Sequence, residues 1–268
     1  MALPDTLELV YHASEPYPRR VSLAAVYDDL PSPSPSGRPF VRVNMVQTLD
    51  GAVAIGGTAW TIGSDVDHYL FRTLRGWADA VLTGAGTLRL NDLVATTHPH
   101  LQARRRDAGR PANPTGIVLT RRADFSETML AKRFFSRKDV AALVLTAEGI
   151  PDAVRRRVED AGAEVCLVPA RSSGDVDVDA ALAVLARRGV TRLLVEGGPS
   201  LNRRLVEAGV VDEVFLTMTP VVAGVPDPPR LLSGLFGGAQ AHLSVISEFQ
   251  CRDDRVREWY FRFAVEKV

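Results

Sequence analysis

Residues 40–48 (FVRVNMVQT) alternate, with Val41, Val43 and Met45 on one side and Arg42, Asn44 and Val46 on the other. That period predicts a strand. Val66, Tyr69, Leu70, Thr73, Leu74 and Trp77 then recur at helical spacing. Ser64 is placed to cap this helix, with Asp67 at the third helical position as a capping-box partner. Short apolar runs at 80–83, 117–120, 141–146, 165–168, 193–195 and 213–219 read as buried strands. Residues 125–135, 151–161, 179–188 and 200–208 read as helices between them, with Pro151, Gly162 and Gly189 marking ends. Two long strands, 242–249 and 255–265, meet across Asp253-Asp254 as an antiparallel hairpin. Residues 52–55 continue extended after an Asp50-Gly51 turn, 88–114 show no period and read as irregular, and 220–239 form a Gly/Pro-rich loop.

The first 39 residues read as a peripheral arm. A short amphipathic piece at 22–30 is followed by PSPSPSGRP, a stiff polar linker, so a single domain is expected from 40 to 268. Alternating strands and helices predict an α/β fold, with a mixed, mostly parallel sheet, helices on both faces and the hairpin at its end. Ligands of such sheets bind beyond the strands' C-terminal ends. Two glycine turns fall at such ends, Gly84-Ala85-Gly86 and Gly197-Gly198. Each leads from a strand into a helix, whose first N–H groups are unsatisfied and favour an anion such as a pyrophosphate.

Composition narrows the classes. The 268 residues are 46% hydrophobic and 24% charged, enough for a sizeable core. Thirty-two basic and 32 acidic residues cancel, so no global field points to nucleic acid or a membrane surface. No apolar run is long enough to span a bilayer, and the N-terminus lacks a basic signal region. Cys166 and Cys251 read as separate reduced thiols, as expected of a cytoplasmic protein. No metal is expected: two distant cysteines cannot build a thiolate zinc site, and His98 and His100 read as solvent-exposed. There is no P-loop, no G-x-G-x-x-G after the first strand, and no zinc-deaminase pair of H-x-E and P-C-x-x-C.

Three stretches, NMVQTLDGAVA (44–54), LRGWADAVLTGAGT (74–87) and LLVEGGPSLNRRLVEAGVVDEVFLTMTPVVAG (193–224), resemble in order and spacing the RibD-type pyrimidine reductase of riboflavin biosynthesis. The resemblance covers about residues 40–265. It implies a dihydrofolate-reductase-like three-layer fold, NADPH as cofactor, a homodimer, and reduction of the ribosyl chain of 5-amino-6-(5-phosphoribosylamino)uracil. It implies too that the zinc deaminase domain fused in many bacterial members is not in this chain. Ala54, Gly84, Ala85, Gly86 and Thr87 would line the cofactor from one strand end, and Gly197, Gly198, Pro199, Ser200 and Leu201 from the other. Thr120, Arg121 and Arg122 suit the adenosine 2′-phosphate, because an arginine fork is its expected ligand, and Thr146 would border the adenine.

On the substrate side, Asn44 stands where many bacterial members have lysine and archaeal and fungal members have asparagine. Thr48 and Asp50 match the family's [ST]-L-D-G, and Thr61, Ser64 and Asn91 join the substrate candidates. Glu196 matches the family's substrate-contacting glutamate. Catalytic candidates are Glu196, Asp50 and Asp92, although Asp50 also suits a purely structural turn. The family's D-[DN]-P-x-L-T-x-R is replaced by Asn91-Asp92-Leu93, with Arg104, Arg105 and Arg106 as substitutes for its arginine, or none. Alternatives are a dihydrofolate-like pterin reductase, a related reductase of unassigned substrate, and a catalytically silent nucleotide-binding module.

Overall fold

A computed structural model describes residues 3–28, 30–31, 37–231, 241–253 and 256–266. Its strands are β1 (Thr6–His12), β2 (Arg19–Ser22), β3 (Phe40–Gln47), β4 (Ala80–Gly84), β5 (Thr115–Thr120), β6 (Ala142–Ala147), β7 (Glu164–Val168), β8 (Arg192–Val195), β9 (Glu213–Met218), β10 (Leu243–Asp253) and β11 (Val256–Val265). Its α-helices are α1 (Asp65–Trp77), α2 (Ala85–Leu90), α3 (Pro99–Asp107), α4 (Glu127–Leu130), α5 (Arg133–Ser136), α6 (Asp152–Asp160), α7 (Val178–Arg187) and α8 (Pro199–Glu207). The strands form one sheet in the order β2-β1-β10-β11-β9-β3-β8-β4-β5-β6-β7. From β9 to β7 neighbours run parallel, and β2, β1, β10 and β11 add antiparallel strands at the other side. This is the mixed α/β sheet with a C-terminal hairpin that the periodicity predicts.

Alternation along the strands sorts the core into layers. Val41, Val43, Ala80, Leu82, Leu193 and Val195 pack with Leu182 and Leu185 of α7 and Leu201 and Leu205 of α8. On the opposite face, Val81 and Leu194 pack with Val66, Leu70 and Leu74 of α1. Val118 and Val144 pack beside them with Phe134 and Phe135 of α5 and Val158 of α6. That second face also holds a buried ion triad. Glu213 accepts from Arg42 (2.6 Å) and Arg262 (2.6 Å), and the Arg42 guanidinium lies 3.9 Å from the Trp77 ring centroid. Burial pulls Arg42 down to about 10, against the pull of Glu213.

Four expectations change. The N-terminal stretch is no arm: β1 pairs with β10, and Leu7, Leu9, Leu23, Val26 and Tyr27 are buried with the α1 layer. The polarity of the following linker hid this, and 32–36 of that linker lie outside the described residues. Residues 88–114 are not irregular. They contain the end of α2 and all of α3, whose buried residues are only Leu101 and Arg105, too few to print a period. Residues 125–135 form two single turns, α4 and α5, rather than one helix. Residues 52–55 make only an isolated Ile55–Thr58 bridge. The loop expected at 220–239 is described as far as 231.

Candidate active site

The parallel strands β8 and β4 both end in glycine turns, and adjacency in the sheet brings the turns together. The Gly84 N–H donates to the Gly197 carbonyl at 2.9 Å. Gly197 has φ +80°, and a Cβ there would lie 3.0 Å from Met45 Sδ. A Cβ on Gly198 would lie 2.8 Å from Thr87 Oγ1. Glycine is therefore required by backbone conformation at the first position and by close approach at the second. Beyond the turns, α2 and α8 begin, with Pro199 at the first turn of α8. Their leading N–H groups face a cleft of about 970 Å³, at the upper end of single-ligand pockets, which run to about 1,000 Å³.

One half of this cleft is lined by Gly84, Ala85, Gly86, Thr87, Thr120, Arg121, Gly198, Pro199, Ser200 and Leu201, with Ala54 near by. No atom lies within 4 Å of where a Gly86 Cβ would stand, so the turn is open on its ligand side. The structure thus separates the two arginines after β5. Arg121 reaches the cleft, whereas Arg122 is exposed outside its lining. Thr146 lies beneath the surface, fully buried, with Oγ1 unpartnered among the described residues.

The other half is built by β3, α1 and the end of β8. Asn44 projects from β3 on the α1 side, and Asn91 and Asp92 follow α2. Glu196 is not a lone carboxylate. Its Oε1 accepts from Arg75 Nε at 2.6 Å and its Oε2 from Arg75 Nη2 at 2.8 Å, and both side chains are about nineteen-twentieths buried. Arg75 also donates to the Val94 carbonyl at 2.8 Å and lies over the Phe71 ring. Asp92 is held by Arg133 of α5, with Nε to Oδ2 at 2.7 Å. That arginine answers the acid–arginine pairing missing from the local motif, but it arrives from 41 residues downstream. Arg104, Arg105 and Arg106 lie on α3 and do not line this cleft; Arg105 instead donates to the Pro111 and Gly76 carbonyls.

Four substrate-side candidates sit elsewhere. Asp50 accepts from Thr48 Oγ1 (2.5 Å), Ala223 N–H (3.0 Å) and Gly224 N–H (3.1 Å). Those donors, the Thr48 hydroxyl first, hold its carboxyl down at about 2. Asp50 and Thr48 brace the turn against 223–224 and do not line the cleft. Ser64 caps α1, its Oγ accepting from the Val66 and Asp67 N–H groups. The reciprocal partner is Glu258 of β11, not Asp67: Glu258 Oε1 accepts from Ser64 N–H at 2.9 Å and Oε2 from Ser64 Oγ at 2.6 Å. Thr61 is exposed outside the lining.

Released from capping, Asp67 turns inward and lines the cleft. Desolvation raises its carboxyl to about 7, against a hydrogen bond from Thr217 and with the Glu258 charge adding to the rise. Gly63 makes room for it, since a Cβ there would stand 2.1 Å from Asp67 Oδ2. Burial thus keeps Asp67, a cleft-lining acid, partly protonated near neutrality. The sequence held a signal for it: Asp67 aligns at helical spacing with the buried Leu70 and Leu74, where a carboxylate is costly. Among the described residues no group of three or more metal-ligating side chains occurs, and no helix is long and apolar enough to cross a membrane.

The RibD C-terminal domain model matches residues 39–252. Over 204 residues the chain is 30% identical to the 2,5-diamino-6-ribosylamino-4(3H)-pyrimidinone 5′-phosphate reductase of Aquifex aeolicus, covering 74% of this chain and 84% of the relative. It is 29% identical to the reductase of the same name from Archaeoglobus fulgidus, with 74% and 87% covered. Its fold is similar to a pyrimidine reductase-like protein of Corynebacterium diphtheriae, with TM-score 0.73 and 22% identity over 86% of this chain and 93% of that one.

Proposed function

Because the chain belongs to the RibD C-terminal domain family, we propose that it is the NADPH-dependent reductase of a phosphoribosylaminopyrimidine in riboflavin biosynthesis. The substrate is 5-amino-6-(5-phosphoribosylamino)uracil or its 2,5-diamino counterpart, the compound for which the two 29–30% identical relatives are named. Reductase relatives imply a nicotinamide-nucleotide cofactor; the exposed Arg121 beside Thr120 supports the phosphorylated form. The observation that carries the reading is the pair of hydrogen-bonded glycine turns, which share one cleft with Glu196–Arg75 and Asp67.

The residues fit a dinucleotide: the turns would receive its pyrophosphate on backbone N–H groups, where Gly86 and Gly198 leave no side chain in the way. When bound, the reduced nicotinamide supplies a hydride to the first ribose carbon. The chain's own work is to position the substrate and move one proton. Glu196, fixed by two bonds to Arg75, presents acceptor oxygens toward substrate N–H or hydroxyl groups. Asn44 offers an amide to the pyrimidine edge. Asp67 donates its proton to the furanose ring oxygen. The bond from that oxygen to the first ribose carbon breaks, and the bridging amine's lone pair forms the carbon–nitrogen double bond that is then reduced. Water returns the proton to Asp67, so one proton is consumed per turnover. Asp50, held low by its donors and outside the cleft lining, and Asp92, engaged by Arg133, do not take this role.

Steady-state NADPH oxidation against both ribosylaminopyrimidine phosphates and dihydrofolate tests the proposal. Oxidation with either pyrimidine supports it. Oxidation with dihydrofolate alone makes the protein a pterin reductase, and cofactor binding without oxidation of any makes it a silent nucleotide-binding module.

A further inference from the structure

The basic run of α3 takes no part in the cleft, yet it lines a second cavity, of about 280 Å³. The two linings share no residue, and α1 stands between them. His68, Phe71, Arg72 and Arg75 line the cleft, whereas Thr73, Gly76 and Trp77 line the cavity. Four arginines reach the cavity: Arg104 and Arg105 of α3, Arg110 just beyond it, and Arg192 at the start of β8. Shared acceptors draw three of them together. Arg105 Nη1 and Arg110 Nη2 both donate to the Ala78 carbonyl. Arg110 Nη2 and Arg192 Nη2 both donate to Asp79 Oδ1, at 2.9 and 2.7 Å. Arg104 pairs with Asp28. Among the described residues, four guanidinium groups thus meet two carboxylates. The carbonyl end of α1 offsets only part of that surplus, roughly half a charge. Burial first, then the Arg110 charge, pulls Arg105 down to about 10, and burial with the Arg192 charge lowers Arg110. The arginines also keep donors to spare. Arg104 uses only Nη1, Arg110 only Nη2, and Arg105 leaves Nη2 without a hydrogen-bond partner among the described residues. The spare nitrogens of Arg105 and Arg110 are open to solvent.

We propose that this cavity is a second anion site, separate from the cleft, and that it takes the phosphate group of a small phosphorylated molecule. The inference is independent of the reductase reading. A dianion relieves the mutual repulsion of the arginines. A tetrahedral group accepts from donors that arrive from several elements, whereas a planar carboxylate is matched by a single arginine fork. The volume lies just below the range of ligand pockets, which starts at about 300 Å³, so it suits a phosphate with a small organic part. Trp77 and Leu101 give that part an apolar wall.

Inorganic phosphate is the probe, read as the rise in Tm over chloride at equal ionic strength, with acetate as the planar control. Phosphate also suits the glycine turns of the cleft, so the cavity's share is read by difference. Ala108 is exposed and lines the cavity, and Ala108→Glu adds a carboxylate there while leaving every arginine in place. Arg104→Gln removes an exposed charge whose pair with Asp28 contributes little to folding, so it serves if the first variant fails to fold. The phosphate-specific rise should fall by about half or more in each folded variant and persist in Arg121→Ala, the cleft control. Tungstate, a tetrahedral dianion, soaked into crystals should give an anomalous peak beside Arg105 and Arg110. No phosphate-specific rise in the wild type, an equal rise with acetate, or tungstate in the cleft alone overturns the proposal. Tungstate in the cavity with the same phosphate rise in wild type and variants means an adventitious ion only, and overturns it too.

Discussion

Asp67 shows how one buried carboxyl couples stability to function. An unfolded aspartate ionises near 3.9, whereas burial raises this one to about 7. The folded protein therefore holds the proton more tightly. The associated stability is fully present below about pH 4 and is lost as pH rises from there to about 7. Asp67→Asn removes the ionisation cost, so chemical denaturation should find the variant more stable than wild type at pH 8, by roughly 2–4 kcal/mol, and equal to it near pH 4. Its turnover should fall by about a hundredfold or more, while wild-type kcat declines above about pH 7. Equal stability at pH 8 would show that Asp67 is solvated. Arg121 carries the second residue-scale prediction. Arg121→Ala should cut the preference for NADPH over NADH by about ten- to a hundredfold, read as the ratio of the two kcat/KM values. Arg122→Ala should leave that ratio alone, since Arg122 does not line the cleft.

At the scale of elements, the site depends on two strand–turn–helix units docked through their turns. Gly84 N–H and Gly197 O tie β4 to β8, and Gly198 sits so close to Thr87 that only hydrogen fits. Gly198 has φ −82°, an ordinary extended backbone, so alanine there is harmful through contact and not through conformation. Gly198→Ala should weaken NADPH binding by about tenfold as the turns part. In a double-mutant cycle with Thr87→Ala, the pair should bind NADPH better than the two single changes predict if added. Strict additivity would mean that the crowding is absent. The same scale explains where sequence reading of helices failed. α1, α7 and α8 carry apolar stripes and were legible, whereas α3 buries only Leu101 and Arg105, with Arg105 spent on carbonyls at the end of α1.

Across the whole molecule, the antiparallel side of the sheet leaves apolar surface in view. Leu243 pairs with Val265 and Val245 with Phe263, which puts all four on one face. Leu243 and Val245 are 42% and 37% exposed, and Phe261 and Phe263 stack at 5.5 Å while remaining only part-buried. A second copy of the chain is the expected cover. Light scattering at micromolar concentration should give twice the 29.1 kDa chain mass. Val245→Asp should return the single-chain mass, and a wild-type monomer would count against a dimer through this face.

The sequence by itself determined the alternation of strands and helices, the glycine turns at two strand ends, and the C-terminal hairpin. These follow from local periods and from backbone conformations that few residues adopt. It also determined that Glu196 ends a buried strand beside one of those turns. Only the tertiary structure decided which partners the polar side chains take. Glu196 meets Arg75 across 121 residues, Asp92 meets Arg133 across 41, and Ser64 meets Glu258 across 194. With Glu258 in the capping role, Asp67 becomes a buried acid. Such pairings depend on strand order and helix placement rather than on neighbours in the chain. The burial that raises the Asp67 carboxyl was therefore out of reach of the one-dimensional pattern. The first 31 residues illustrate the same limit: β1 and β2 were hidden because the strand that gives them a place, β10, begins at Leu243.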